Sequence, residues 1–221
     1  MTPHAVCAPL LAAAAAFAVS AAAPAAVDMP PPRSHVYVFH ALLDDKPIGD
    51  HTFTVVADGA TRHVTSEADF VVKFLGFSAY RYRHRAEERW VGDCLESLAS
   101  TTDDDGKPAS VRLERSGDVD RIATAVDTRT AAGCLMSYAY WNPALFAQTR
   151  LLNPQTGQLD AVRVERAGTG TIQVDGRAVA ATRWRIVAPD SPIDVWVSAQ
   201  GDWIGLDSMV AQGKHKLSYR L

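Results

Sequence analysis

The segment Ser78–Trp90, SAYRYRHRAEERW, constrains this chain more than any other. Tyr80, Tyr82, His84, Ala86, Glu88 and Trp90 occupy one parity, and Arg81, Arg83, Arg85, Glu87 and Arg89 the other. Only an extended strand sends alternate residues to opposite faces; a helix would scatter these charges around its axis. The segment therefore predicts a strand with one mainly aromatic face and one charged face, as an antiparallel sheet with one solvated side requires. The outward arginines read as a solvated face balanced by Glu87 and by acids on neighbouring strands, with an anion site as the alternative.

The same punctuation runs along the chain. His35–Leu43 is a strand, Asp44-Asp45-Lys46-Pro47 turns it, and Ile48–Ala57 returns. Asp58-Gly59 is a tight hairpin turn, where glycine takes positive φ cheaply. Thr61–Phe74 follows, and Gly76 marks a break or bulge. Cys94–Thr102, Val111–Arg115 and Ile122–Thr128 continue the series, the last two joined at Ser116-Gly117-Asp118. Beyond residue 157 the strands are Ala161–Arg166, Thr171–Val174, Val179–Val187, Ile193–Ser198, Trp203–Val210 and Lys214–Leu221, with Gly168-Thr169-Gly170 and Asp175-Gly176 as turns. That makes roughly twelve strands at the spacing of a sandwich or barrel, with no long helix between them. The expected fold is all-β and mainly antiparallel, a curled sheet or β-barrel-like single domain over residues 35–221.

Residues 1–25 read as a signal peptide. Cys7 to Ala26 is almost entirely alanine, leucine, valine and phenylalanine, and Ala23-Pro24-Ala25 has the small-x-small form of a cleavage site. Met1-Thr2-Pro3-His4 carries no lysine or arginine, which leaves a membrane anchor or a disordered tail as the alternative. Residues 26–34, with Pro30-Pro31-Pro32, read as a stiff linker. Cleavage implies a periplasmic or secreted protein and leaves two cysteines, Cys94 and Cys134, which an oxidising compartment would join. Two buried free thiols are the alternative; the spacing fits no metal site. The formal net charge of −3 lacks the basic surplus of a nucleic-acid binder.

Cys134–Gly157, CLMSYAYWNPALFAQTRLLNPQTG, breaks the β pattern. Asn142 can cap free amides and Pro143 suits a first helical position, which predicts a short helix at about 142–149. Arg150 would complement its C-terminal end. Tyr138, Tyr140 and Trp141 lead into this helix, and an open or curled sheet leaves a concavity for it to plug or line. These aromatics fill the core or, together with Asn142, Tyr80 and Tyr82, form the candidate binding site for an apolar ligand.

The segments YVFHALLDDKPIGDHTF, CLESLASTTDDDGK, SYAYWNPALFAQTRLLNPQTG and IDVWVSAQGDWIGLDS resemble an uncharacterised family of small exported bacterial proteins, a domain of unknown function. A more distant likeness is to exported β proteins whose curved sheet resembles lipoprotein carriers. It implies an apolar concavity and brings no catalytic residue.

Reaction chemistry is sparse. No G-x-S-x-G, phosphate loop, GxGxxG or HExxH is present. Ser137 lies near aromatics with no histidine beside it in sequence. His40, His51 and His63 fall in three successive strands, where two imidazoles can meet, and His51 can face inward with Phe53 and Val55. Asp103-Asp104-Asp105-Gly106 lacks the ligand spacing of a calcium loop. No metal, cofactor or catalytic residue is expected. The expectation is an exported β protein holding an apolar or lipid-like ligand, with a ligand-free envelope interaction module and an enzyme as alternatives.

Overall fold

The computed structural model describes residues 33–74 and 77–221. The expected signal peptide, the linker up to residue 32 and the break at Gly76 lie outside the described residues.

Among the described residues fifteen strands follow one another: β1 Arg33–Leu43, β2 Lys46–Asp58, β3 Thr61–Phe74, β4 Phe77–Val91, β5 Cys94–Asp104, β6 Lys107–Ser116, β7 Val119–Thr124, β8 Thr128–Ala132, β9 Arg150–Leu152, β10 Leu159–Ala161, β11 Arg163–Val174, β12 Arg177–Val187, β13 Ile193–Ser198, β14 Trp203–Val210 and β15 His215–Arg220. Thirteen of them form a single antiparallel sheet in the order β11-β12-β13-β14-β15-β1-β2-β3-β4-β5-β6-β7-β8. β9 and β10 pair separately. The large sheet is two meanders sewn together where β1 meets β15, with His40 opposite Arg220. It curls without closing: β8 and β11 are its two edges.

Residues 133–162 connect those edges. A chain that leaves one side of a sheet and re-enters at the other must cross a face, and this one crosses the inner face. Leu135, Met136, Ala139, Leu145, Leu151 and Leu152 are buried there against Phe39, Trp90, Leu95, Leu98, Leu113 and Trp203. The crossing is tied down at its start. Cys134 is disulfide-bonded to Cys94 with Cα atoms 4.9 Å apart, and the Leu95 amide donates to the Leu135 carbonyl at 2.9 Å. Further on, the Leu152 amide donates to the Met136 carbonyl at 2.8 Å, folding the segment back on itself.

The alternation along β4 is as expected. Ala86 and Trp90 are buried and Arg81, Arg83, Arg85 and Arg89 exposed. The outer arginines face carboxylates: Arg83 lies 3.5 Å from Asp69, and Arg85 pairs with both Glu67 and Glu87. That is the solvated face with cross-strand charge balance. The Asp103 loop is a hairpin turn in which Asp103 accepts from the Gly106 amide at 2.7 Å.

Several expectations change. The helix at 142–149 is a five-residue 3-10 turn, Pro143–Ala147. Asn142 caps it as anticipated, accepting from the Ala144 amide at 3.0 Å. Arg150 does not serve a helix end; it opens β9 and donates to the Ala132 carbonyl at 3.1 Å. Gly168-Thr169-Gly170 is not a turn: Ala161–Arg166 and Thr171–Val174 belong mostly to one strand, β11, and Gly168 marks a bulge where its pairing with β12 slips. A bulge needs the same permissive residues as a turn. β1 begins at Arg33, inside the expected linker, and β8 is a strand the alternation did not announce.

β2 and β3 approach closely at Gly49 of β2. Its φ is +143°, and a Cβ there would lie 2.0 Å from the backbone oxygen of Asp69 on β3. Only glycine permits that approach.

Candidate functional site

The crossing segment does not fill the concave face completely. Ser66 of β3 and Ala86 of β4 are direct cross-strand partners. Two small inward side chains side by side leave a hollow, and His51, Phe53, Tyr138, Tyr140, Trp141 and Tyr219 wall it. The resulting cavity is about 320 Å³.

Its polar groups come from period-two placement on three adjacent strands. His51 on β2 pairs with Ala68 on β3, and Ala68 pairs with His84 on β4. The two imidazoles therefore lie in one row across the sheet. The two ring nitrogens of His51 bond Ser66 Oγ at 2.7 Å and the Tyr219 hydroxyl at 3.1 Å. His84 Nδ1 bonds Thr102 Oγ1 at 2.8 Å. Two positions beyond Ala86 stands Glu88. Its two carboxylate oxygens accept from Ser137 Oγ and from the Trp90 indole N–H, each at 2.9 Å.

Burial sets the electrostatics. It lowers the His51 pKa to about 3, the charge of His84 adding a smaller push. It lowers His84 to about 4. Both imidazoles are neutral at neutral pH, each offering one donor and one acceptor nitrogen. Burial raises Glu88, against the opposing donation of Ser137 and Trp90. It also raises Tyr138, Tyr140 and Tyr219 well above the usual phenol range, so these hydroxyls stay protonated.

These values limit the chemistry. Ser66, His51 and Tyr219 have the connectivity of a nucleophile, a base and an orienting group. A base works best with a pKa near the operating pH, and a value of about 3 makes His51 a poor acceptor at neutral pH. The arrangement is suited to hydrogen-bonding a ligand. Among the described residues no group of three His, Cys, Asp or Glu side chains is placed to hold a metal ion.

The residues singled out by sequence divide evenly. Tyr138, Tyr140 and Trp141 line the cavity. Tyr138 donates to Asp160 at 2.8 Å, Tyr140 lies 5.2 Å from the Trp203 ring, and Trp141 packs edge-on against Trp90 at 5.4 Å. The other three stand elsewhere. Asn142 is buried, and its amide is committed to the 3-10 cap and to Asp93 at 3.1 Å. Tyr80 is at the exposed end of β4, donating to Asp104 at 2.6 Å. Tyr82 stacks on Phe70 at 5.4 Å, beside the cavity wall and not on it. His51 faces inward as expected, while His40 and His63 are exposed. His40 bonds Asp50 at 2.7 Å. The imidazole that reaches the row of His51 is His84, and Glu88 is the carboxylate nearest Ser137. The signal for both was the β4 alternation itself, which sets a histidine and a glutamate on an otherwise aromatic face.

Comparisons with known proteins agree with this architecture. No curated protein matches the sequence. A solved structure from Brucella abortus, described as a beta-barrel-like protein of domain of unknown function DUF1849, superposes with a TM-score of 0.61 over 85% of this chain and 94% of that one. At 9% identity the likeness is one of fold. Residues 39–221 match the family described as domain of unknown function DUF6134. A match over most of the chain, with the curled antiparallel sheet beneath it, means that this protein belongs to the DUF6134 family.

Proposed function

We propose that this is an exported protein of the bacterial periplasm that holds an apolar or lipid-like small molecule in the cavity between the curled sheet and the crossing segment. The observation that carries the reading is the unfilled hollow of about 320 Å³, walled by Tyr138, Tyr140 and Trp141 over a floor of Ser66 and Ala86. Small-molecule sites typically occupy roughly 300–1,000 Å³, with apolar walls and a few fixed polar groups. His51, His84, Ser137 and Tyr219 are such groups, uncharged at neutral pH. Export draws support from the alanine-rich N-terminus and from the Cys94–Cys134 disulfide, which is compatible with an oxidising compartment.

The test is to purify the full chain from its native host and compare intact masses under native and denaturing conditions, with organic extraction of the released material. A molecule bound in stoichiometric amount supports the reading, and Ala86→Trp, which fills the hollow, should abolish it. Protein that carries nothing and takes up no apolar probe would sink it. The alternative of a ligand-free interaction module draws on the open edges at β8 and β11. β11 nevertheless carries a bulge at Gly168 and the charges Arg163, Glu165 and Arg166, devices that discourage pairing with another strand.

A further inference from the structure

The carboxylates of the cavity lack the cations that hold other half-buried carboxylates such as Asp194, 2.7 Å from Arg185, and Asp207, 2.7 Å from Arg220. Three carboxylates line the cavity, Glu88 and Asp160 half-buried and Asp190 exposed. Among the described residues no lysine or arginine lines the cavity, and none lies within ion-pair distance of these three. A guanidinium does touch the wall from behind: Arg62 stacks 5.0 Å over the Trp141 ring, and Asp93 and the Gly92 carbonyl already hold it.

Glu88 is the informative member. Both of its oxygens accept hydrogen bonds, from Ser137 and from Trp90. Two accepted bonds from neutral donors suit the ionised form, yet no cation of the protein compensates it. A carboxylate withdrawn from water without a partner charge is pushed toward its protonated form, the direction in which burial moves Glu88, and a bound cation would hold it ionised instead. Tyr138 and Tyr140, 6.2 Å apart between ring centroids, line the same cavity. Aromatic faces beside carboxylates are the surroundings in which organic ammonium groups are held, by cation–π attraction together with charge.

We propose that the cavity selects an organic cation: an amine or quaternary ammonium group carrying an apolar body, its charge set toward Glu88 and Asp160 between the rings of Tyr138 and Tyr140, its apolar part against Phe53, Leu206 and Leu217. This rests on the reading of the cavity as an apolar-ligand site and names the class of ligand. It also means that fatty acids and other anionic amphiphiles are turned away, because their charge meets three carboxylates and no cation.

The test compares three probes of equal tail length by isothermal titration calorimetry, below their micelle-forming concentrations: decyltrimethylammonium, decyl maltoside and decyl sulfate. The ammonium probe should bind about tenfold or more tighter than the maltoside, and the sulfate more weakly than both. Choline, which lacks the tail, separates an amphiphile site from a small-solute site; its binding in competition with the ammonium probe supports the charge selection in either case. In Glu88→Gln the ammonium-to-maltoside affinity ratio should fall about tenfold toward one. Asp160→Asn gives a second reading of that ratio if the first variant folds poorly. A maltoside that binds as tightly as the ammonium probe, or a ratio unmoved in both variants, overturns the proposed cation while leaving the apolar-ligand reading intact. Failure of every probe, choline included, overturns both.

Discussion

Acidification from about pH 7.5 to about pH 5 should destabilise this protein, because two histidines are held neutral on the inner face. His51 has its pKa lowered from 6.5 to about 3, and His84 from 6.5 to about 4. A base whose folded pKa is depressed binds protons more readily in the unfolded chain. Unfolding therefore takes up protons once the pH falls below about 6.5, and stability is lost from there down to the folded values. Each unit of separation is worth about 1.36 kcal/mol, so at about pH 5 each histidine costs roughly 2 kcal/mol and the pair about 4 kcal/mol. Glu88 works the other way. Its raised pKa lets the folded state take a proton above 4.5, which offsets part of the loss. Asp93 and Asp207 have lowered pKa values, and what they contribute is lost only below 3.8, outside this window. Urea unfolding followed by tryptophan fluorescence at several pH values between about 7.5 and 5 measures the slope. His84→Gln, which keeps a hydrogen-bonding group toward Thr102 and does not titrate, should reduce that slope by about 1.36 kcal/mol per pH unit. The reasoning fails if the variant and the parent lose stability equally over that range, or if the imidazole NMR signals of His51 and His84 titrate with pKa values near 6.5.

Other perturbations address the scaffold. Replacing Cys94 and Cys134 together by serine opens a loop of sequence separation 40 and should cost about 4 kcal/mol in the chain-entropy account; a loss below about 1 kcal/mol in urea unfolding would contradict it. Gly49→Ala should cost about 3 kcal/mol or more, since its Cβ meets backbone that no rotamer change can move; a variant with parental melting temperature refutes the close approach of β2 and β3. Leu145→Ala removes a fully buried side chain from the crossing segment and should cost about 2–5 kcal/mol, with Phe146 contributing less because it is only partly buried on Trp184. A loss under 1 kcal/mol for Leu145→Ala would mean that the crossing segment is not part of the core.

How much of this was legible varies with the range of the interaction. Parity along β4 is local, so the sequence alone puts His84, Ala86, Glu88 and Trp90 on one face and the arginines on the other. The Cys94–Cys134 pairing was readable because two cysteines remain after the expected signal. The capping role of Asn142 was readable because it acts two residues away, on Ala144. The length and type of the helix were not, since five residues followed by Arg150-Leu151-Leu152 are claimed by strand pairing with β10. The bulge at Gly168 looked like a turn because glycine signals both, and only the continued pairing of β11 with β12 separates them.

The candidate site shows the same division more sharply. Composition and alternation determine by themselves an antiparallel β domain with an aromatic inner face, interrupted once by the segment from Cys134 to Gly157. They do not determine which strands are neighbours. The seam of β1 with β15 joins residues at opposite ends of the chain, and the alignment of His51 with Ala68 and His84 is a matter of register across three strands. Register follows from turns, bulges and the fit of the whole inner face, and a one-residue slip would turn these side chains to solvent. The tertiary structure alone therefore decided that the interruption crosses the concave face, that Ser66 and Ala86 leave a hollow beneath it, and that Glu88 stands in that hollow without a cation.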